Sequence, residues 1–326
     1  MSNVTIHDVA KHAGVSATTV SRVMNNRGYI SEEMRKKVHA SMEALNYSPN
    51  QMARSLFKKE TKFIGLIIPT TANPFFGELA FHIEHELVNQ GYKLLVCNSI
   101  DREDNEIEYL KMLQENRVDG IIVGSHNIGI EEYDKISIKM VSVERKIHED
   151  IPTIQSDNYY GGKLAAEVLV EEGCKNILCI SGDPKVDTPA NNRLVAYLDY
   201  MKELGYPTHK AYIPFNLSAE EKLEKVQALH IKEQGYDGVL AGDDVMASIV
   251  LNHLTKEGLN VPEDVKVVGF DGTETVRTLL PHLTTIEQDI KQLAKESVTT
   301  ILKKIKDEPI DELKVVPVKL HKGTTA

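Results

Sequence analysis

A chain of 326 residues with 41% apolar and 26% charged residues is too long for one ordinary core and has the balance of an average water-soluble globular protein. No apolar run approaches the roughly 18 residues of a membrane span, and the first residues lack a basic segment followed by an apolar one, which excludes a secretory signal and implies a cytoplasmic chain. The net charge of −10 is divided unevenly: residues 1–60 hold nine Lys/Arg against five Asp/Glu, or +4, leaving 29 against 43, or −14, for the rest. A basic head on an acidic body confines any nucleic-acid contact to the head.

The first predicted element is a helix over residues 5–13. Thr5 and Asp8 have capping-box spacing, and Ile6, Val9, Ala10 and Ala13 fall on one face. Gly14 breaks it. Ser16 then suits an N-cap, and a second helix runs through Met24, giving a helix-turn-helix pattern. This helix offers Ala17, Thr18, Ser21 and Arg22: small side chains allow close approach to base edges, and Arg pairs bidentately with guanine. Ser31 caps a third helix with Glu32 and Glu33 at its positive end and an apolar stripe of Met34, Val38, Met42 and Leu45. The stretch Tyr47-Ser48-Pro49-Asn50-Gln51-Met52-Ala53-Arg54-Ser55-Leu56-Phe57 follows, in which Pro49 suits the first turn of a short helix. Apolar tips beside a cation are an odd mixture for a linker.

From Phe63 onward strands and helices alternate. Phe63-Ile64-Gly65-Leu66-Ile67-Ile68 is too apolar for a half-exposed strand and reads as a parallel strand covered on both faces. Strands over 93–97, 120–123 and 140–143 follow, with helices from about 75 to Gly91 and over 103–116. A second series has helices near 161–172, 192–204 and 245–257 and strands near 176–180, 238–241 and 265–270. Two such series predict two lobes of doubly wound parallel sheet. Cys97, Cys174 and Cys179 are odd in number and lack CxxC spacing, and Cys97 and Cys179 lie in strand-like runs, so buried free thiols are expected rather than a disulfide framework or a zinc site.

In such sheets ligands bind beyond the carboxyl ends of the strands. Those ends carry Asn73-Pro74-Phe75-Phe76, Asn98-Ser99, Asp101, Ser125-His126-Asn127, Glu144-Arg145, Asp157, Asp183, Asp187, Asp243-Asp244 and Asp271. Carboxylates accept adjacent hydroxyls, aromatic faces pack on sugar rings, and Arg193 adds a fixed fork of donors, so the set suits a polyhydroxylated ligand. Each Asp or Asn alone is accounted for by the ordinary preference of these residues for turns. Catalytic motifs are missing: there is no GxSxG elbow, no Walker phosphate loop and no GxGxxG after a strand, and His82-Ile83-Glu84-His85 is not HExxH. A non-enzyme without cofactor or metal is expected.

The run Val4-Thr5-Ile6-His7-Asp8-Val9-Ala10, Ala13-Gly14-Val15-Ser16, Thr19-Val20-Ser21-Arg22-Val23, Leu45-Asn46-Tyr47-Ser48-Pro49-Asn50 and Ala53-Arg54-Ser55-Leu56 resembles the LacI/GalR family of bacterial repressors. The resemblance implies a small all-α helix-turn-helix headpiece over 1–46, a hinge helix and linker over 47–61, and a two-lobed, periplasmic-binding-protein-like α/β body over 62–326. The chain would cross between lobes near 158, 287 and 313, giving a first lobe of about 62–157 and 288–312 and a second of about 158–287 and 313–326. It implies Thr18 and Arg22 as base readers in the major groove, with Thr5, Ser16, Ala17, Thr19, Ser21, Asn25, Tyr47, Asn50, Ala53 and Arg54 also at the DNA. Two hinge helices of a homodimer would lie in the minor groove with Leu56 as an apolar wedge. Family effector positions fall on Phe75, Phe76, Asp187, Arg193, Phe215, Asp244 and Asp271, beside the strand-end residues Asn73 and Asp157.

Partners implied are double-stranded operator DNA, a small sugar or sugar phosphate and a second copy of the chain, with no membrane. The chain ends just past its last strand without a heptad segment, so a dimer on a palindromic operator is expected. Gly28-Tyr29-Ile30-Ser31 and Ser125-His126-Asn127-Ile128-Gly129-Ile130-Glu131-Glu132-Tyr133 resemble the sucrose-operon repressors of Gram-positive bacteria within the family, which implies repression of a sucrose operon relieved by sucrose, fructose or a phosphorylated derivative. The alternatives are a global carbon-catabolite regulator controlled by a phosphoprotein and, in another class, a sugar-binding transport protein, which would need an export signal.

Overall fold

Three helices, α1 (Ile6–Ala13), α2 (Ala17–Asn25) and α3 (Glu32–Ala44), build the first of two compact units, which spans Met1–Thr61. The structure, a computed structural model, describes residues 4–47, 60–100 and 102–326; Asn50, Ala53, Arg54 and Leu56 lie outside the described residues, as does Asp101. Thr5 caps α1 through a full capping box with Asp8, Ser16 caps α2, and Ser31 caps α3. Gly14 ends α1 in the left-handed region at φ 62°, where a side chain would be strained. The helices bury Val9, Ala10, Ala13, Val20, Val23 and Val38 together, one apolar stripe from each.

The second unit, Lys62–Ala326, holds two six-stranded sheets. The first has the order β11 (Leu313–Val316), β5 (Thr153–Ser156), β4 (Lys139–Val143), β3 (Gly120–Val123), β1 (Phe63–Ile68) and β2 (Lys93–Asn98), all parallel. Its strands alternate between two apolar layers. Ile64, Leu66 and Ile68 face α4 (Pro74–Asn89) and α12 (Ile290–Ile305); Ile67, Ile121 and Val123 face α5 (Glu103–Glu115) and α6 (Glu132–Lys135).

The second sheet has the order β12 (Val318–His321), β10 (Thr284–Gln288), β9 (Lys266–Asp271), β8 (Gly238–Ala241), β6 (Ile177–Ser181) and β7 (His209–Tyr212), parallel except where β12 runs against β10. One face packs on α7 (Asn158–Glu171) and α8 (Asn191–Glu203), the other on α9 (Ala219–Gln227), α10 (Asp244–Lys256) and α11 (Glu274–Leu279). Cys97, Cys174 and Cys179 are buried free thiols, and burial pushes their pKa up to about 11, 11 and 12.

The chain passes between the sheets at Asp157, Asp289 and Pro317. The third passage corrects the expected position near 313. Leu313–Val316 pairs in parallel with Thr153–Ser156 and closes the edge of the first sheet, so this lobe extends to 316. Among the described residues no helix is long and apolar enough to cross a membrane, and no three His, Cys, Asp or Glu side chains are grouped to hold a metal ion.

Candidate functional site

In the headpiece, Thr18, Ser21, Arg22 and Asn25 form one side of α2 and, with Arg27 and Gly28, line a shallow surface depression. Thr18 and Arg22 are exposed. The Asn25 amide donates to the Ser21 carbonyl (2.8 Å) and hydroxyl (3.3 Å), which orients its side chain along the same face. Ala17 and Ser21 are both half-buried, so of the four residues expected to be presented only Thr18 and Arg22 are exposed; Ala17 packs against the headpiece core because α2 turns its first residue inward to close on α1 and α3. Thr5, Ser16 and Thr19 have cap duties: Thr5 Oγ1 donates to Asp8 (2.7 Å), and Ser16 Oγ accepts the Thr19 N–H (3.0 Å) and meets the Thr19 hydroxyl (2.8 Å). Tyr47 packs partly against the headpiece core, its N–H bonded to the Met42 carbonyl at 2.8 Å.

In the body, a crevice of about 830 Å³ opens at the carboxyl ends of both sets of strands. The first lobe contributes Asn73, Phe75, Phe76, Ser99, His126, Asn127 and Glu144; the second contributes Asp183, Asn191, Arg193, Phe215, Asp243 and Asp271. Asn73 caps α4, accepting the Phe75 and Phe76 N–H groups at 3.0 and 3.4 Å, and so fixes both rings in the first helical turn. Phe76, His126 and Phe215 meet edge to face, with centroids 5.5, 5.9 and 5.1 Å apart, so an aromatic triangle spans the two lobes.

Arg193 stands in the first turn of α8, and the sequence lets it sit deep. Gly162 of α7 lies so close that a Cβ there would be 2.3 Å from the Arg193 carbonyl oxygen, so only glycine permits this approach of α7 to α8. Arg193 Nε donates to Asn158 Oδ1 (2.7 Å), Nη1 donates to the Gly242 carbonyl (2.8 Å) and lies 3.6 Å from Asp271, and the guanidinium sits 3.6 Å over the Phe270 ring. Nη2 makes no hydrogen bond among the described residues, and Arg193 lines the crevice.

These contacts belong to a closed ring across the lobe junction. Glu144 accepts the Ser156 N–H (2.5 Å) and the Asn158 amide (2.9 Å); Asn158 holds Arg193; Arg193 pairs with Asp271; Asp271 accepts the Gln288 amide (2.7 Å); Gln288 accepts the Ser156 hydroxyl (2.6 Å). Asp271 holds a left-handed φ of 111°, a backbone cost of about 1–3 kcal/mol that the ring and sheet sustain. Burial raises the Asp271 carboxyl well above the usual range against the opposing pull of Arg193, with Asp244 and Asp243 adding to the rise, and burial likewise raises Glu144. Burial pushes Asp244 to about 7, and burial with Arg145 and Arg193 pushes His126 down to about 4.

Of the effector positions expected from sequence, Asn73, Phe75, Phe76, Arg193, Phe215 and Asp271 line the crevice, whereas Asp157, Asp187 and Asp244 do not. Asp157 caps α7 through the Tyr160 N–H (3.0 Å). Asp187 is exposed in the loop whose Val186 and Thr188 reach the wall. Asp244 points inward, accepting the Thr285 hydroxyl (2.6 Å) and the Gly272 N–H (2.7 Å); its neighbour Asp243 takes the place at the wall. Reading strand ends found His126, Glu144 and Asp243, but Asn158, Gln288 and Asn191 carried no sequence signal that separates them from ordinary helix and strand residues.

A helix-turn-helix unit joined in one chain to a two-lobed body with a hydroxyl-matching crevice defines a DNA-binding regulator rather than an enzyme. Residues 5–50 match the bacterial regulatory proteins of the lacI family, and residues 166–325 match a periplasmic binding protein-like domain. The chain is 42% identical to the sucrose operon repressor of Pediococcus pentosaceus over 98% of its own length and 99% of that protein's. The lac repressor dimer bound to operator and the anti-inducer ONPF superposes with a TM-score of 0.87 at 27% identity, covering 99% of each chain. A periplasmic binding protein/LacI regulator of Alkaliphilus metalliredigens, complexed with D-xylulofuranose, matches at 35% identity and a TM-score of 0.74 over 81% of this chain and 99% of its own. The chain belongs to the LacI family and is a DNA-binding transcriptional repressor.

Proposed function

We propose that the chain represses a sugar-utilisation operon in the cytoplasm, with sucrose as the favoured sugar, and leaves a palindromic operator when a small sugar occupies the crevice. The observation that carries this reading is Arg193: one guanidinium fixed by Asn158, Gly242 and Asp271, its remaining N–H edge bonded to no described residue, in the lining of a cavity walled by carboxylates and aromatic rings. Hydroxyl groups can give to the carboxylates and accept from that edge. One structural relative complexed with D-xylulofuranose, and another relative that is a sucrose operon repressor, agree with this chemistry.

Sugar binding is linked to DNA binding because crevice occupancy and operator occupancy select arrangements of the same chain, so each changes the other's affinity by the same factor. The working unit is a homodimer. Phe81 (64% exposed) and Val88 on α4, with Leu279 (72%) on α11, present an apolar face, and the Glu274 N–H at the start of α11 bonds Glu78 of α4 at 2.8 Å. A second copy covers this face, and its two-fold symmetry matches a palindrome.

The test is operator release followed by fluorescence anisotropy. Wild type dissociates on addition of sucrose or fructose; Arg193→Lys, which keeps the charge but loses the fork, stays bound at the same sugar concentration while its operator affinity without sugar is unchanged. A variant released as readily as wild type overturns the crevice reading.

A further inference from the structure

Resting on the reading that the crevice takes a sugar, we propose that His126 determines which sugar is accepted, offering an imidazole nitrogen to a ring hydroxyl of an uncharged sugar. The side chain belongs to the Ser125–Tyr133 stretch and stands edge-on between Phe76 of its own lobe and Phe215 of the other. Neither ring nitrogen has a hydrogen-bond partner among the described residues, and neither is sealed from the crevice that His126 lines. A polar group left open inside an aromatic wall is a place where a ligand can be discriminated. An analogue that lacks the matching hydroxyl leaves the nitrogen unpaired, a penalty that a purely apolar wall does not impose.

The imidazole is presented by a loop that is tied down from behind. Fully buried Glu106 of α5 accepts the Ser125 hydroxyl at 2.6 Å and the Asn127 amide at 2.9 Å, so the residues on both sides of His126 share one anchor. Arg145 adds bonds to the Ser125 and Asn127 carbonyls at 2.7 and 2.5 Å. Such support holds the ring within the tolerance that directional hydrogen bonding needs. With its pKa at about 4, His126 is neutral at physiological pH, with one nitrogen a donor and the other an acceptor. A hydroxyl can satisfy either. The same wall carries the acidic side chains of Asp183 and Asp243, which disfavour a phosphate group.

The full-length protein is titrated calorimetrically with sucrose, fructose, ribose and fructose 6-phosphate. His126→Phe keeps an aromatic ring in the wedge and removes both nitrogens. It is expected to lose about tenfold in affinity for the sugar that wild type binds most tightly and to compress the preference among sugars, with operator affinity unchanged. His126→Gln, which restores an amide donor and acceptor, recovers part of the loss. If His126→Phe does not fold, His126→Leu carries the same test with less bulk. Unchanged affinities across the panel overturn the proposal, as does tightest binding of fructose 6-phosphate by wild type. Loss of binding in Arg193→Lys but not in His126→Phe removes this inference alone; unchanged binding in both removes the crevice reading with it.

Discussion

Arg145 and Arg193 are both almost buried, at 7% and 9% exposure, and both face carboxyl groups, yet the two clusters differ in charge balance and in what is left open. Arg145 meets one carboxylate, Glu106, at 3.5 Å, and its fork is filled by Ser125 and Asn127. Glu106 is likewise filled, accepting from Ser125, Asn127 and Tyr133. Around Arg193 stand Asp271, Glu144 and, one layer further in, Asp244, so three carboxyls share one guanidinium whose Nη2 edge has no protein partner among the described residues. The first cluster is closed and holds a loop. The second leaves a donor edge without an acceptor and lines a cavity, the condition in which ligand hydroxyls add what the protein lacks.

The largest effect expected from this contrast is on the closed cluster. Arg145→Met removes the cation and leaves Glu106 buried without its charge partner, so unfolding by urea is expected to show a loss of about 3–5 kcal/mol. A loss below about 1 kcal/mol would mean that Tyr133, Ser125 and Asn127 alone satisfy Glu106, and the contrast between the two arginines would fail.

A smaller effect is expected at the open cluster from a residue that touches no ligand. Alanine at position 162 gains up to about 1 kcal/mol of helix propensity over glycine. Its Cβ, however, would stand 2.3 Å from the Arg193 carbonyl oxygen and 2.5 Å from the Arg193 Cα, both backbone atoms that a rotamer change cannot move. Forcing α7 and α8 apart costs about 1–3 kcal/mol, so the clash prevails and carries Arg193 away from Asp271. Gly162→Ala is expected to melt lower and to bind sugar more weakly, while the headpiece keeps its non-specific affinity for DNA. Unchanged sugar affinity would show that Arg193 does not depend on this close approach.

These two positions also show what could be read from sequence. Phe63–Ile68 announced a doubly covered parallel strand because nothing in the run is polar, and Thr5, Ser16 and Ser31 announced three helix starts because capping chemistry is local. Arg193 was legible as a donor fork, but its setting was not: Gly162 and Asn158 come from α7 and Gln288 from β10, and only the tertiary fold brings them to α8. Asp243 and Asp244 illustrate the limit. Both end the same strand, yet the N-cap geometry of α10 leaves Asp243 at the wall and turns Asp244 inward to Thr285 and Gly272. The passage at Pro317 was hidden for a similar reason, since Leu313–Val316 and Val318–His321 form one extended run divided between two sheets by a single residue.

The smallest effect, and the one most specific to the unequal charge count, is a pH dependence. Asp244 titrates at about 7 in the folded chain against an ordinary 3.8, so the folded chain holds a proton that the unfolded chain has already released. The stability this confers is full below the unfolded value and is lost as pH rises through about 7; Glu144 and Asp271, also raised, act in the same direction. His126 acts oppositely, with a folded value of about 4 against 6.5: its contribution is present above pH 6.5 and lost as pH falls through about 4. Between about pH 8 and 6.5 Asp244 adds under about 1 kcal/mol and His126, half protonated in the unfolded chain at pH 6.5, takes back about 0.4 kcal/mol, so the ligand-free protein is expected to melt slightly higher at about pH 6.5. Asp244→Asn keeps a hydrogen-bonding group for Thr285 and Gly272 but cannot titrate, and calorimetry at the two pH values should show a smaller rise. An equal rise in variant and wild type would place the proton elsewhere in the cluster and remove Asp244 from the group of three carboxyls that share Arg193.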